Sequence, residues 1–425
     1  MKKAVRTCII CILALALLAG CGRMRGPDNI IDLLSSPRLS KNESRIVSAI
    51  TDGLGQEIVL KYPKRNTKSS PILMTDLDAD GKDEAVVLYS SPNLGANVRM
   101  AVLRSTDDGW RMIYDTEGYG TEIYDFSVAD FTNDVSKQLM VGYTFSDFAE
   151  KMLTVYRIKD GVPSQMRTYS CQDYTVRDVT GDGISDLVYA GVNANNQNTQ
   201  IKLMSCDGTR DSRIEEKFSY TISMPNSRVT GLGFTRTELS ETGAFLVDYY
   251  DTYKRTYTQA FAWNGGDIAE ILPSNVVQKI WAEDYPLYSR DVDRDGSLET
   301  PTIIESELAG DDSLRFMEWT DFVREQPKRK MYGVCDVTGG IYYPIPDEWQ
   351  DLVRIERNED GSWSVIAADN DRQLIRYEML PHGEAESGEN GVIVTQGLVR
   401  TRITFDSTVN TIQRNYISTR FFRLR

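Results

Sequence analysis

The chain has 425 residues, a formal net charge of −14 and a single histidine. That length exceeds a typical single domain, although a repeat array can run so far as one body. The acidic balance argues against nucleic acid as a partner and against docking on anionic lipid through charge.

The N-terminus reads as an export signal. Lys2, Lys3 and Arg6 form a basic n-region, and Thr7 to Leu18 is an apolar stretch too short for a comfortable membrane span. Leu18-Ala19-Gly20-Cys21 then resembles the lipobox of bacterial lipoproteins. The resemblance implies a signal peptide over 1–20, lipidation of Cys21, and a protein held on the extracytoplasmic face of the cell membrane by its acyl chains. Residues 21–29 are the lipidated Cys and a tether. The eight residues Gly22 to Asn29 reach no more than about 28 Å, which keeps the folded body close to the membrane. Losing Lys2, Lys3 and Arg6 with the signal takes the formal charge from −14 to −17. No later apolar run reaches the ~18 residues that a span needs.

Six cysteines occur; Cys8 and Cys11 leave with the signal, and Cys171, Cys206 and Cys335 remain beside Cys21. An odd number at wide spacing is no disulfide framework. One Cys171–Cys206 bridge and three buried thiols both stay open. No C-x-x-C pair survives in the mature chain, which argues against a zinc ribbon.

Residues 30–62 read as N-terminal helices and a strand. Ile30, Ile31, Leu33 and Leu34, then Ile46, Val47, Ile50 and Leu54, recur at helical spacing. Pro37 separates the two helices, Gly55 ends the second, and Glu57 to Tyr62 follows as a strand.

From Ile72 the chain repeats. Asp76, Asp78, Asp80 and Glu84 place acidic oxygens at positions 1, 3, 5 and 9 of a loop, and Asp291, Asp293, Asp295 and Glu299 do the same. Asp178, Asp182 and Asp186 keep the pattern with Thr180 at position 3. A hard cation needs six to eight oxygens in a tight shell, and a Gly after position 5 lets the chain turn around it. Residue 7 of each loop (Lys82, Ile184 and Ser297) would add its backbone carbonyl, which leaves its side chain free to vary. Oxygen ligands alone favour calcium over zinc or copper. Each loop runs into an apolar strand.

Loop starts at Asp76, Asp130, Asp178 and Asp291 lie 54, 48 and 113 residues apart, so a worn copy is expected near residue 235. The loop at 130 is poor, with Val135 in place of Gly and Gln138 in place of the last acid. Turn dipeptides keep the same period at Asp108-Gly109, Asp160-Gly161, Asp207-Gly208 and Asn264-Gly265. One loop and about four short strands make a propeller blade. The repeats resemble the FG-GAP (or VCBS) family over roughly Ile72 to Trp319. That resemblance implies an integrin-α-like β-propeller with calcium in the loops, used for binding or scaffolding more often than for catalysis. The expected fold is therefore mainly β, with ~50-residue blades over 63–327, five of them in phase and five to seven in all.

After Trp319 the period fails. Residues 328–425 are expected to form a C-terminal α+β module or closing blades, with a helix near Thr408 to Ser418. Pro344 and Pro346 suggest that the strand at Ile341 is an edge.

Catalytic signatures are scarce. His382 is the only histidine, and no G-x-S-x-G elbow, P-loop or dinucleotide fingerprint occurs. Tyr249, Tyr250, Tyr253 and Tyr257 could form a ligand surface or cover blade strands. The expectation is a non-catalytic binder of an envelope protein or glycan, more a binder than an enzyme. A polysaccharide hydrolase or lyase is the alternative, and a purely structural envelope scaffold a third. An enzyme should bring acidic residues together with an Arg or Lys in one concave pocket on the propeller face, away from the calcium loops; a binder should show aromatic residues on an open surface and no buried titratable cluster.

Overall fold

The computed structural model describes residues 39–65, 70–132, 137–146, 149–193, 197–206, 214–238, 240–253, 255–271, 277–278, 288–310, 313–321, 328–380, 391–396 and 399–424. Cys21, the expected signal, the first N-terminal helix and His382 lie outside them. No helix among the described residues is long and apolar enough to cross a membrane.

The chain is mainly β and builds six antiparallel sheets of four or five strands, taken up in chain order. The first holds β1–β5 (Val59–Leu60, Ile72–Thr75, Glu84–Ser90, Arg99–Thr106, Gly109–Glu117). The second holds β6–β9 (Glu122–Ala129, Gln138–Thr144, Lys151–Lys159, Val162–Cys171). The third holds β10–β13 (Asp173–Arg177, Asp186–Val192, Thr199–Cys206, Ile214–Thr221). The fourth holds β14–β18 (Arg228–Thr235, Ala244–Tyr250, Thr256–Trp263, Ile268–Glu270, Val277–Gln278). The fifth holds β19–β22 (Thr300–Ile304, Leu314–Asp321, Lys328–Asp336, Ile341–Pro344), and the sixth β23–β27 (Val353–Arg357, Trp363–Ala367, Gln373–Leu380, Val392–Gln396, Val399–Phe405).

Burial explains the sequence pattern within a sheet. The second strand Gln138–Thr144 is buried at every position, and its counterparts in the first, third and fourth sheets at all but one or two, so they carry apolar residues on both faces. Outer strands such as β13 alternate between half-buried and exposed positions, which suits one covered face and one wet face. Neighbouring sheets share cores. Val86, Leu88 and Val102 pack with Ile123, Phe126 and Val141 across the first two sheets. Val188, Leu203, Leu232 and Phe245 do so across the third and fourth.

A helix, α1 (Lys41–Leu54), covers the other face of the first sheet. Its Ser40 cap and Glu43 form a reciprocal capping box, and Gly55 ends it at φ 65°. Ile46 and Ile50 bury against Ile72, Val87, Tyr89 and Leu103.

The expected boundary at 327/328 is corrected. Lys328 and Arg329 pair with Asp321 and Thr320, so the boundary would cut one sheet between two of its strands. Chain from beyond the sixth sheet returns to the fifth. A helix, α2 (Thr411–Thr419), is followed by β28 (Phe422–Arg423), which pairs with Ile341 and Tyr342 of β22. That pairing also removes β22 from the edge expected of it; Pro344, whose missing N–H costs least at a strand end, is its last residue. Cys171, Cys206 and Cys335 are buried free thiols.

Candidate functional site

Three of the loops fold alike. The position-1 carboxylates accept backbone N–H groups from further round the turn: Asp76 from Asp80 and Gly81 at 3.2 and 3.0 Å, and Asp291 from Asp295 and Gly296 at 3.1 and 3.0 Å. Asp178 accepts from Gly181 and Gly183 at 2.6 and 2.9 Å. Asp80, Asp182 and Asp295 at position 5 accept from the N–H of Lys82, Ile184 and Ser297 at 2.8, 2.8 and 2.9 Å. Position 6 is a glycine at φ 86° to 88° in all three, the left-handed turn that Gly allows without strain. Position 4 is left-handed too, at Ala79 (61°), Gly181 (77°) and Arg294 (66°).

Position 9 has a two-part task. Glu84, Asp186 and Glu299 are fully buried. One oxygen of each accepts the N–H of residue 2 in its loop: Leu77 at 3.0 Å, Val179 at 2.8 Å, Val292 at 2.9 Å. In each loop one buried carboxylate oxygen has no hydrogen-bond partner, namely Asp78 Oδ1, Asp186 Oδ1 and Glu299 Oε1. Burial, with Asp293 and Asp295 nearby, pushes the Glu299 carboxyl up to about 8. Burial also raises Glu84 and Asp186.

Asp76, Asp78 and Glu84 bring carboxylate oxygens within 4.8 Å of one another, as do Asp291, Asp293 and Asp295. Asp178, Asp182 and Asp186 form no such group among the described residues, and the Thr180 hydroxyl donates to Asp186 at 3.1 Å. Two basic side chains reach into the other loops. Arg104 donates to Asp78 at 2.7 Å and to Glu84 at 3.4 Å. The Lys330 ammonium lies 3.0 Å from Asp293 and also bonds Asp295. The donor set, all oxygen with orphaned buried atoms, fits a hard cation. The loop at 130 explains its own wear: Gln138 Oε1 keeps the bond to residue 2, accepting from Phe131 N–H at 2.6 Å, but brings an amide where the others bring a second anionic oxygen.

The tyrosine surface is corrected. Tyr249 and Tyr257 face each other on β15 and β16 and stack at 5.4 Å in the core. Their side chains point to the face that the third sheet covers, because pairing register puts both on one side. Tyr250 is half-buried, and only Tyr253 stands out, at 70% exposure.

A charged cluster forms where the second, third and fourth sheets meet. Arg65 donates to the carbonyls of Tyr174 and, at 2.6 Å, Leu232, and its guanidinium lies 3.6 Å from Asp173. Asp173, almost fully buried, accepts from Tyr124 Oη at 2.6 Å, Tyr174 N–H at 2.9 Å and Leu232 N–H at 2.8 Å. The Lys151 ammonium sits 4.6 Å from the Tyr124 ring centroid and donates to the Gln172 carbonyl. Burial pulls the Lys151 amine down and pushes the Tyr124 phenol well up. Asp173 opens the same strand that ends at Arg177, before the Asp178 loop, so about 16 Å of extended chain separates cluster from loop. Deeper in the fourth sheet, burial raises Asp248 to about 6 although Thr258 and Ser289 donate to it at 2.6 and 2.9 Å.

Sequence reasoning missed this cluster, yet a signal existed. Tyr124 and Tyr174 stand one repeat period apart, each beside an aspartate (Asp125 and Asp173), on equivalent first strands. An open surface depression lined by Glu150, Gln172, Val192, Gln197, Asn226, Ser227 and Arg228 lies nearby, and no side chain of the cluster lines it.

No protein-family model matches the chain, and no curated protein matches it. Among solved structures it is similar to a candidate 6-phosphogluconolactonase of Bacteroides fragilis, 10% identical over 74% of this chain and 94% of that one, with a TM-score of 0.35. It is similar to a rhamnogalacturonan lyase of Bacillus licheniformis, 12% identical over 84% and 86%, with a TM-score of 0.30. A periplasmic gluconolactonase of Pseudomonas aeruginosa is 11% identical over 65% and 95%, with a TM-score of 0.27.

The expectation of a non-catalytic binder is corrected on the side chains themselves. The expected aromatic surface is largely core, and Lys151, Tyr124, Asp173 and Arg65 form a buried titratable cluster, which a plain binding surface was not expected to show.

Proposed function

We propose that the chain is a lipid-anchored, extracytoplasmic enzyme of the cell envelope, a hydrolase or lyase acting on polysaccharide, built on a calcium-stabilised β-propeller of FG-GAP type. The observation that carries the catalytic reading is the meeting of Lys151, Tyr124, Asp173 and Arg65 where three sheets join. A lysine whose amine is pulled down by burial has a larger neutral fraction and can take a proton at Nζ. Asp173 is already satisfied by three donors, so it acts as a positioning residue that holds Tyr124 and Arg65.

Calcium is assigned to the loops at 76, 178 and 291, where the orphaned oxygens support it. Asp76, Asp78, Asp80 and Glu84 would hold one ion, Asp178, Thr180, Asp182 and Asp186 a second, and Asp291, Asp293, Asp295 and Glu299 a third. The carbonyls of Lys82, Ile184 and Ser297 would complete the shells. The ion would neutralise carboxylates that otherwise repel one another, and so pin the turn that begins a blade.

The test is turnover. The purified chain with calcium is incubated with acidic and neutral polysaccharides. New ultraviolet absorbance from an unsaturated sugar marks a lyase, and new reducing ends without it mark a hydrolase. Lys151→Met should abolish either signal while leaving the melting temperature within a few degrees. No product from any polysaccharide, or full activity in Lys151→Met, overturns the reading.

A further inference from the structure

We propose that the worn repeat copies at 130 and 235 are seats for the cation loops that follow them, and that Thr235 is a positioning residue of the loop at 291. This rests on the calcium reading above and adds to it residues from a neighbouring sheet. Asp130 and Thr235 hold position 1 of their copies, where the intact loops carry Asp76, Asp178 and Asp291. Both keep a bond across a sheet boundary. The Asp130 carbonyl accepts the N–H of Ser185 at 2.7 Å, and the Thr235 hydroxyl oxygen accepts the N–H of Leu298 at 2.8 Å. Ser185 and Leu298 are both position 8 of the next intact loop, directly before the buried carboxylates Asp186 and Glu299.

The junction recurs between the loop at 178 and the worn copy after it. Thr242 is position 8 of that copy, and a Cβ on Gly181 would lie 2.5 Å from its Cγ2. Position 4 of the loop at 178 therefore admits only glycine, on this approach as well as on its φ of 77°. The seat at 235 is the most complete. Thr235 is 1% exposed, and its hydroxyl also donates to the Arg236 carbonyl at 3.3 Å. The Leu298 side chain enters the fourth sheet, where it packs against Leu246 and Ala260, and a Cβ on Gly233 would lie 2.8 Å from its Cδ1. Backbone and side chain of residue 298 are both held by the fourth sheet, whereas Glu299 pairs with Arg290 at the start of the fifth.

Glu299 is where the seat matters. Its Oε2 accepts from Val292 N–H, while its buried Oε1 has no hydrogen-bond partner and lies near Asp293 and Asp295. A peptide unit fixed at 298 limits where the next Cα and its carboxylate can go, so that oxygen is in place before an ion arrives. Valine has the shape of threonine without the hydroxyl. With Val at 235 the Leu298 N–H loses its acceptor, and the ion must order the carboxylate itself at a cost in conformational entropy.

The test is calcium binding to the purified full chain, by calorimetric titration and by hydrogen exchange read on peptides. In Thr235→Val one site is expected to bind calcium about tenfold more weakly, and in Thr235→Ser to return to within about twofold of the parent. A merely structural hydroxyl would lower the melting temperature equally in calcium and in chelator and leave calcium affinity unchanged, and that result overturns the seat. A loss that Thr235→Ser does not restore overturns it too. In the unmodified chain calcium is expected to slow exchange at residues 233–236 as well as at 289–299, and this arm needs no variant to fold. Slowing confined to 289–299 overturns the seat and leaves the loop at 291 standing as a calcium site. No slowing at 289–299 sinks the calcium reading of that loop and the seat with it.

Discussion

The Lys330 ammonium lies 3.0 Å from the Asp293 carboxylate, inside a loop whose acids also face a calcium-sized task. Burial alone would lower this amine, but the bonds to Asp295 and Asp293 raise it above its ordinary range, so it stays charged at any physiological pH. A fixed ammonium and a divalent cation compete for the same oxygens. Lys330→Met should therefore lower the melting temperature in chelator and enlarge the rise produced by calcium, with calcium affinity higher by roughly tenfold. Scanning calorimetry of both proteins, with chelator and with calcium, decides it. Equal calcium shifts would remove Lys330 from the account.

Gln138 shows what a position-9 residue does without a second anionic oxygen, and Glu299→Gln should reproduce it. The variant can keep the bond from Val292 N–H while losing the buried, unpartnered oxygen. Without calcium it should be as stable as the parent or more so, by about 1–3 kcal/mol. With calcium its stabilisation should be smaller by one site, as read from denaturant midpoints at fixed calcium.

Asp248 predicts a pH dependence. Its carboxyl sits at about 6 in the folded chain, against about 3.9 unfolded, so the folded state holds the proton more tightly. The contribution to stability is fully present below about pH 4 and is lost as pH rises through about 6. The stability difference between the parent and Asp248→Asn should change by up to about 3 kcal/mol across that window and stay flat above it. Urea titrations at pH 4, 5, 6 and 7.5 measure the difference, and a constant difference across all four would refute it.

Arg65 and Tyr124 both serve Asp173 but at different cost. Arg65→Met leaves the Asp173 carboxylate buried beside two freed carbonyls, a loss of about 3–5 kcal/mol. Tyr124→Phe removes one hydrogen bond to an anion and should cost about 1.5–3 kcal/mol. Denaturant unfolding in calcium ranks the two, and the reverse order would mean that Arg65 does not join the three sheets.

The tyrosines separate by burial. Tyr257→Ala should cost about 3–5 kcal/mol, because the ring stacks on Tyr249 in the core. Tyr253→Ala, at an exposed turn, should change stability by no more than about 0.5 kcal/mol. Thermal melts of the two variants test the pair.

The loops were legible because carboxylates that cap the turn's backbone N–H groups recur at fixed spacing, and a left-handed turn constrains position 6. Position 4 was less legible. Only Gly181 signals its backbone there, while Ala79 and Arg294 adopt the same φ with side chains that hide it. The sheets were legible through period and turn dipeptides such as Asp160-Gly161, both of whose residues have positive φ. The boundary at 328 failed because Lys328-Arg329-Lys330 looks like a linker, whereas Arg329 and Lys330 reach acids and so sit in a strand. The charged cluster lay hidden for a different reason. Its members are spread from residue 65 to residue 232 and become neighbours only when three sheets converge.

Helix α1 occupies the face of the first sheet that lies opposite the second. Left bare, that face would offer Ile72, Val87, Tyr89 and Leu103 to another molecule as readily as to its own chain. Ile46 and Ile50 of the helix cover it, so a chain stripped of residues 41–54 should associate with its own kind through the bared side chains.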